Sequence, residues 1–290
     1  MLTIHFGDNL PYLRTLPNES IDFIYVDPPF NTGKNQSLTK IHTEQSIDGN
    51  RIGFGGKKYS TTKLGTKSFK DQWLDYPGFL NPRLQEAYRI LKPNGSLFLH
   101  LDYREVHYAK IELDKIFGRE CFINEIIWAY DYGARSKTKW PTKHDNILLY
   151  AKDPDNYTFN YDEIDRIPYL APSLVGDEKA ARGKTPTDVF WHTIVPTNGK
   201  EKTGYPTQKP KGILNRLVRV HSNPEDTCLD FFAGSGTLGE CALTHGRNAI
   251  LVDDNPEAIH VIQKRLDQYC TGTLGLDFST VGTTHVVNSK

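Results

Sequence analysis

The sequence predicts an α/β fold in which helices cover both faces of a largely parallel sheet. Three observations carry this expectation. Short apolar, β-rich runs alternate with stretches of helical spacing, most regularly over the last third of the chain. Runs such as Ile21-Asp22-Phe23-Ile24-Tyr25-Val26 are close to continuously apolar, as strands buried on both faces are. Phe232-Ala233-Gly234-Ser235-Gly236-Thr237-Leu238-Gly239 follows such a run and opens a helical pattern, the context of a tight strand-to-helix turn.

Taken in order, residues 3–6 read as a strand stopped by Gly7-Asp8-Asn9, and 10–16 as a brief helix before Pro17-Asn18 turns the chain. The second strand, 21–26, must end at Pro28 and Pro29, because proline lacks the N–H that a ladder needs and the second proline restricts the first. Residues 31–70 show no sustained periodicity and are expected to form a long mobile loop. A helix over 77–91 rests on Phe79, Leu80, Leu84, Ala87, Tyr88 and Leu91, and Lys92-Pro93-Asn94-Gly95 supplies its stop. A buried strand at 96–101 and a helix at 103–117 closed by Gly118 follow. Strands at 122–130 and 147–151 have a connection short enough for an antiparallel hairpin. Residues 152–205 lack periodicity and read as an irregular insertion. Helix, strand, helix, strand and helix then occupy 210–221, 227–232, 236–245, 248–252 and 256–269, leaving 271–290 as a tail.

At 290 residues, 38% hydrophobic and 24% charged, the chain suffices for one large α/β domain with an insertion. No apolar run is long enough to span a bilayer, and the N-terminal residues lack the pattern of a signal peptide, so a cytoplasmic location with no membrane partner is expected. Cys121, Cys228, Cys241 and Cys270 are widely spaced and read as reduced structural thiols. Basic and acidic residues balance at 35 each, so net charge announces no polyanion. Their distribution does. Residues 31–70 carry eight Lys and Arg, Lys57 and Lys58 among them, against Glu44 and Asp48. Residues 131–144 carry Arg135, Lys137, Lys139 and Lys143 against Asp131. Two basic segments beside a suspected catalytic edge favour a polyanionic partner.

Asp27-Pro28-Pro29-Phe30 places a carboxylate, two rigid prolines and an aromatic at the carboxyl end of a strand, the edge at which open α/β sheets bind ligands. Gly234-x-Gly236-x-x-Gly239, with Asp253-Asp254 ending the next strand, has the spacing of a loop that holds a nucleoside-bearing cofactor. Other motifs fail. Gly183-Lys184-Thr185 lacks the leading glycine of a phosphate loop, since position 178 is Glu, and Ala233-Gly234-Ser235-Gly236-Thr237 has the wrong outer residues for a nucleophile elbow. His100, His107, His192 and His221 show no metal-ligand spacing, and no metal is expected.

Together, Asp-Pro-Pro-Phe at 27–30, Phe-x-Gly-x-Gly at 232–236 and Pro206-Thr207-Gln208-Lys209-Pro210 resemble the β class of amino-methylating DNA methyltransferases. The resemblance covers about residues 3–151 and 204–269. It implies a circularly permuted, Rossmann-like methyltransferase fold: a seven-stranded, mostly parallel sheet with one antiparallel strand, the catalytic half (1–151) preceding the cofactor half (206–270) of the same domain. The strand ending at Phe232 should lie beside that ending at Val26. The implied cofactor is S-adenosylmethionine, lined by Asp27, Asp230, Phe232, Ala233, Gly234, Ser235, Gly236 and Thr237, with Asp8 at its adenine and Thr207 and Lys209 near its methionyl end. Its ribose falls to Asp253, with Asp254 as the alternative. Catalysis falls to Asp27, Pro28, Pro29 and Phe30: Asp27 and the Pro28 carbonyl accept the two N–H groups of an exocyclic amine while Phe30 stacks on a base flipped from double-stranded DNA. Lys57, Lys58, Arg135, Lys137, Lys139 and Lys143 would meet phosphates. An initial Asp in the motif points to adenine N6, with cytosine N4 as the alternative. A homodimer and a cognate restriction endonuclease are the further partners that the resemblance admits.

Two rivals stand apart from it. Glycine spacing alone also licenses a nicotinamide-dependent dehydrogenase, which leaves Asp-Pro-Pro-Phe without a role. A catalytically silent DNA-binding subunit would keep the motifs and transfer nothing.

Overall fold

The computed structural model describes residues 1–33, 36–52, 56–69, 71–133, 135–196, 198–270 and 279–288. Its centre is a nine-stranded sheet: β1 (Leu2–Phe6), β2 (Ile21–Val26), β6 (Leu91–Leu101), β7 (Phe122–Ala129), β8 (His144–Ala151), β9 (Val189–Trp191), β10 (Thr227–Asp230), β11 (Asn248–Asp253) and β12 (Thr283–Val287), in the order β12-β1-β11-β10-β2-β6-β8-β7-β9. β1, β11, β10, β2 and β6 are mutually parallel. β8 runs antiparallel to both its neighbours. The expected seven strands are all present, with their single antiparallel member, and the sheet is wider than expected because β12 and β9 extend its two edges.

Alternation along the strands sorts the core into two layers. Phe23 and Tyr25 of β2 face the cluster built by α5 (Lys211–His221), α6 (Thr237–Thr244) and α7 (Pro256–Leu266). Ile24 and Val26 face that built by α1 (Asn9–Thr15), α2 (Tyr76–Ile90) and α3 (Val106–Phe117). Each half of the chain thus covers one face of a shared sheet, as the crossover rules of parallel sheets require. The helix starts follow local chemistry: Asp8, Asp75 and Asn255 cap α1, α2 and α7 by accepting from Leu10, Gly78 and Glu257 backbone N–H groups at 2.8–3.0 Å.

Four expectations of the sequence are corrected. The stretch 31–70 is not structureless: β3 (Gln36–Gln45), β4 (Arg51–Ile52) and β5 (Lys58–Phe69) form a separate antiparallel sheet in the order β3-β5-β4. Its threonines are β-branched, but the sequence of the stretch carries no apolar alternation to betray a strand. The insertion is not wholly irregular, since it contains α4 (Asp177–Arg182) and gives β9 to the sheet beside β7. The tail returns β12 to pair with β1. The turn residues 92–95 lie inside β6, as a bulge between the pairs Ile21–Leu91 and Phe23–Ser96. Among the described residues no helix is long and apolar enough to cross a membrane, and all four cysteines are buried.

Candidate active site

From β2 the chain proceeds to one side of the sheet, through β6; from β10 it proceeds to the other, through β11. The crevice outside their carboxyl ends is therefore a topological switch point, the preferred ligand position in such sheets. The Asp27 loop leaves β2 there and the glycine turn leaves β10. Between them lies a cavity of about 520 Å³, within the usual range for small-molecule sites. Its wall includes Asp8, Asp27, Pro28, Pro29, Phe30, Thr207, Lys209, Asp230, Phe232, Ala233, Gly234, Ser235, Thr237 and Asp253. Thus all the catalytic candidates and every cofactor candidate but Gly236 meet at one place.

The catalytic loop is braced from below. Tyr76 Oη donates to the Pro29 carbonyl at 2.7 Å, and Asn31, held at a φ of 51°, accepts from Trp73 N–H at 2.9 Å and donates to Glu105 at 2.8 Å. Behind Phe30 lies a buried polar chain. Tyr25 Oη meets His100 Nδ1 at 2.6 Å, His100 Nε2 meets Asp145 at 3.2 Å, and Tyr130 donates to the same carboxylate at 3.2 Å. Asp145 is held below the ordinary carboxylate range by the His100 and Tyr130 contacts, which overcome the opposing effect of burial. At Asp27, one oxygen accepts from the Lys209 ammonium. The other, Oδ1, is buried and has no hydrogen-bond partner. A buried acceptor left open costs free energy, and on a cavity wall it is an invitation to a donor.

The glycine turn is built for close approach. Gly234 and Gly236 have φ of 50° and 70°, a region that L side chains rarely enter. A Cβ on Gly239 would come within 2.6 Å of Leu251, so this third glycine lets α6 lie against β11. Asp253 secures the turn: one carboxylate oxygen accepts from Gly234 N–H at 2.7 Å and the other from Asn255 N–H at 2.9 Å. Burial pushes its carboxyl up to about 7 despite those bonds. Asp230, accepting from Phe232 N–H at 2.9 Å, is likewise raised by burial and by the neighbouring Asp27 and Asp253. Ser235 and Thr237 look inward, their hydroxyls accepting from Arg265 at 3.2 and 2.9 Å. Six aspartates line the cavity with Arg83 and Lys209, and burial favours the neutral form of two of them, Asp230 and Asp253.

Several site residues escaped the sequence reading. Arg83 ties Asp8 (2.9 Å) to Asn9 (2.5 Å) and to the Phe79 carbonyl (2.7 Å) at the far end of the cavity. Its only signal was an arginine on the apolar face of α2, between Leu80 and Leu84. Tyr205 packs its ring against Gly234, where a Cβ would stand 3.3 Å away, and burial raises its hydroxyl. Asn255 and Asp254 complete that wall. Of the basic candidates, Arg135, Lys137 and Lys139 are exposed on the β7–β8 connection and Lys57 and Lys58 on the small sheet. Lys143 instead closes the base of its loop by donating to the Asp131 carbonyl.

A switch-point cleft that joins Asp-Pro-Pro-Phe to Phe-x-Gly-x-Gly defines a methyltransferase of the amino-methylating DNA class. The chain belongs to the DNA methylase family, whose model matches residues 21–264. It is 31% identical over 265 residues to the Type II methyltransferase M.HpaI of Haemophilus parainfluenzae, spanning 91% of this chain and 74% of that protein. To the DNA adenine methyltransferase YhdJ of Escherichia coli (strain K12) it is 32% identical over 278 residues, spanning 91% and 82%. Among solved structures, the PvuII cytosine-N4-specific DNA methyltransferase superposes with a TM-score of 0.63 at 16% identity, over 96% of this chain and 88% of that one. M1.HpyAVI, solved as a complex with SAM, superposes at 0.58 and 20%, over 92% and 100%. At such identities the two structures speak for the fold alone.

Proposed function

We propose that this protein methylates the exocyclic N6 amine of an adenine flipped out of double-stranded DNA, with S-adenosylmethionine as donor. The observation that carries the reading is Asp27: it lines a cavity whose opposite side is the glycine turn, and its buried Oδ1 has no hydrogen-bond partner. The cavity fits that donor: its glycines admit close backbone contact, and Asp253 and Asp254 flank the position of a ribose. When bound, S-adenosylmethionine supplies an electrophilic methyl group on positively charged sulfur.

The rest belongs to the chain. An exocyclic amine is a poor nucleophile because its lone pair is delocalised into the ring. Asp27 Oδ1 and the Pro28 carbonyl accept its two N–H groups, which favours a pyramidal nitrogen with its lone pair directed at the donor, and Asp27 can hold the proton that the amine gives up. The Pro29 carbonyl is already bonded to Tyr76, so it does not compete. Phe30 offers its ring as a stacking platform that offsets part of the few kcal/mol of base flipping. Asp8, Thr207, Asp230, Phe232, Ala233, Gly234 and Asp253 form the donor's cradle, and Ser235, Gly236 and Thr237 shape it from beneath. The exposed Arg135, Lys137 and Lys139, with Lys57 and Lys58, supply phosphate contacts, and 152–205 contributes to target recognition. Adenine is supported by the YhdJ relative, and a cognate endonuclease by the Type II name of M.HpaI. A homodimer belongs to the same proposal, and sedimentation of the purified protein tests it.

Transfer of labelled methyl to unmethylated duplex DNA, followed by nucleoside analysis, tests the reading. N6-methyladenine from the wild type, lost in Asp27→Ala while S-adenosylmethionine binding persists, is expected. N4-methylcytosine would move the target to cytosine, and selective binding of NAD would overturn the class.

A further inference from the structure

The ammonium of Lys209 sits on Asp27, on the reactive loop itself, whereas the sequence motif places it with the methionyl end of the donor. Both partners are largely withdrawn from solvent, at 11% and 17% side-chain exposure, and 182 positions separate them in the chain. The same ammonium lies 4.9 Å from the centroid of the Phe30 ring, close enough for a cation–π contact. Its backbone is anchored in turn: the Lys209 carbonyl accepts from Thr237 Oγ1 at 3.2 Å, and Thr237 is held by Arg265 at 2.9 Å. Lys209 is thus a strut from the start of α6 to the catalytic carboxylate.

Resting on the functional reading above, we propose that Lys209 is a positioning residue for methyl transfer: by fixing Oδ2 of Asp27 it presents Oδ1 to the amine. A carboxylate has two equivalent oxygens and a rotatable side chain, and an acceptor must be set to within a fraction of an ångström to orient a nitrogen lone pair. One oxygen tied and the other open is the arrangement that achieves this. The charge matters as well. Asp27 has Asp230 as its acidic neighbour, with the phenols of Tyr25 and Tyr76 close by and Asp145 beyond Lys209. Of the two cations lining the cavity, Arg83 is committed to Asp8 at the other end. Lys209 is thus the one cation lining the cavity, among the described residues, that is paired with Asp27 amid these groups.

The experiment compares wild type, Lys209→Gln and Lys209→Arg by steady-state methyl transfer. In parallel, it measures equilibrium binding of S-adenosylmethionine and of 5′-methylthioadenosine, which lacks the amino-acid moiety. For Lys209→Gln the expected result is a loss of about 100-fold in kcat, the usual cost of misplacing a reacting group. The KM for S-adenosylmethionine should stay within about threefold, so that the loss falls on kcat and not on donor binding. The ratio of the two ligand affinities should be unchanged, and Lys209→Arg should recover most of the rate. A selective loss of affinity for S-adenosylmethionine, tenfold or more, with 5′-methylthioadenosine binding intact would place the ammonium on the donor's carboxylate and overturn the inference. An unchanged kcat would overturn it too, as would loss of 5′-methylthioadenosine binding, since a residue acting through Asp27 leaves the adenosine cradle intact. Absence of transfer by the wild type itself would instead sink the functional reading on which the inference rests.

Discussion

Arg265 should decide how firmly the glycine turn is held. Its side chain is 4% exposed and stands beneath the turn: Nη1 donates to the Ser235 carbonyl at 2.9 Å and to the Ser235 and Thr237 hydroxyls, and Nε donates to Glu240 at 2.5 Å. Removing one partner of a buried ion pair costs about 3–5 kcal/mol when the other charge is stranded. Here Glu240 keeps Lys211 at 2.8 Å and the Tyr269 hydroxyl at 3.2 Å, which lowers that share. The Ser235 carbonyl, by contrast, loses a bond in a buried setting, at about 1–3 kcal/mol. We therefore expect Arg265→Gln to destabilise the fold by about 3 kcal/mol, or roughly 6–12 °C in Tm. Affinity for S-adenosylmethionine should fall with it, because the turn is no longer fixed. Urea unfolding and calorimetric titration of the same preparations measure the two. An unchanged urea midpoint would refute the reasoning, and weakened binding at full stability would mean that Arg265 meets the donor directly.

Other expectations concern pH and DNA. Asp253 is raised from 3.8 to about 7 by burial, so between these values the folded state binds a proton that the unfolded state has released. Stability from this group is therefore greatest below pH 4 and declines as pH rises to about 7. The unfolding midpoint should fall from pH 5 to pH 8, and Asp253→Asn should flatten the slope, with Asp230 leaving a residue of the same sign. A slope identical in variant and wild type would refute this. Replacing Lys137 and Lys139 together by Ala should weaken duplex binding at every sequence and reduce the slope of log affinity against log salt by about 2, without changing donor affinity. An unaltered slope would remove the β7–β8 connection from the DNA interface.

How much of this was legible depends on what each residue buries. Ile21 to Val26 could be read because both faces of β2 are covered, and all six residues are buried. Asp22 survives among them by pairing with Lys92 and accepting from Thr227 N–H. The β3–β5 pairing was silent because its sequence carries no apolar alternation, and β9 because three residues alternating between exposed and half-exposed carry no period. At the site, the motifs located every loop but not the bonds between them. That Lys209 reaches Asp27, that Arg83 joins Asp8 and that Ser235 turns inward are consequences of two halves meeting across the sheet, and no local pattern encodes a contact of that span.

That meeting has an outcome for the life of the chain. The halves meet along the sheet where β1 pairs with β11 and where β2 pairs with β10, the second through Phe23 with Cys228 and Ile24 with Leu229. The ribosome delivers the base-handling loop early and the donor's turn some two hundred residues later, so a nascent or truncated product owns a reactive carboxylate with nothing to transfer. The two sides of the cleft exist together only once β10 lies beside β2.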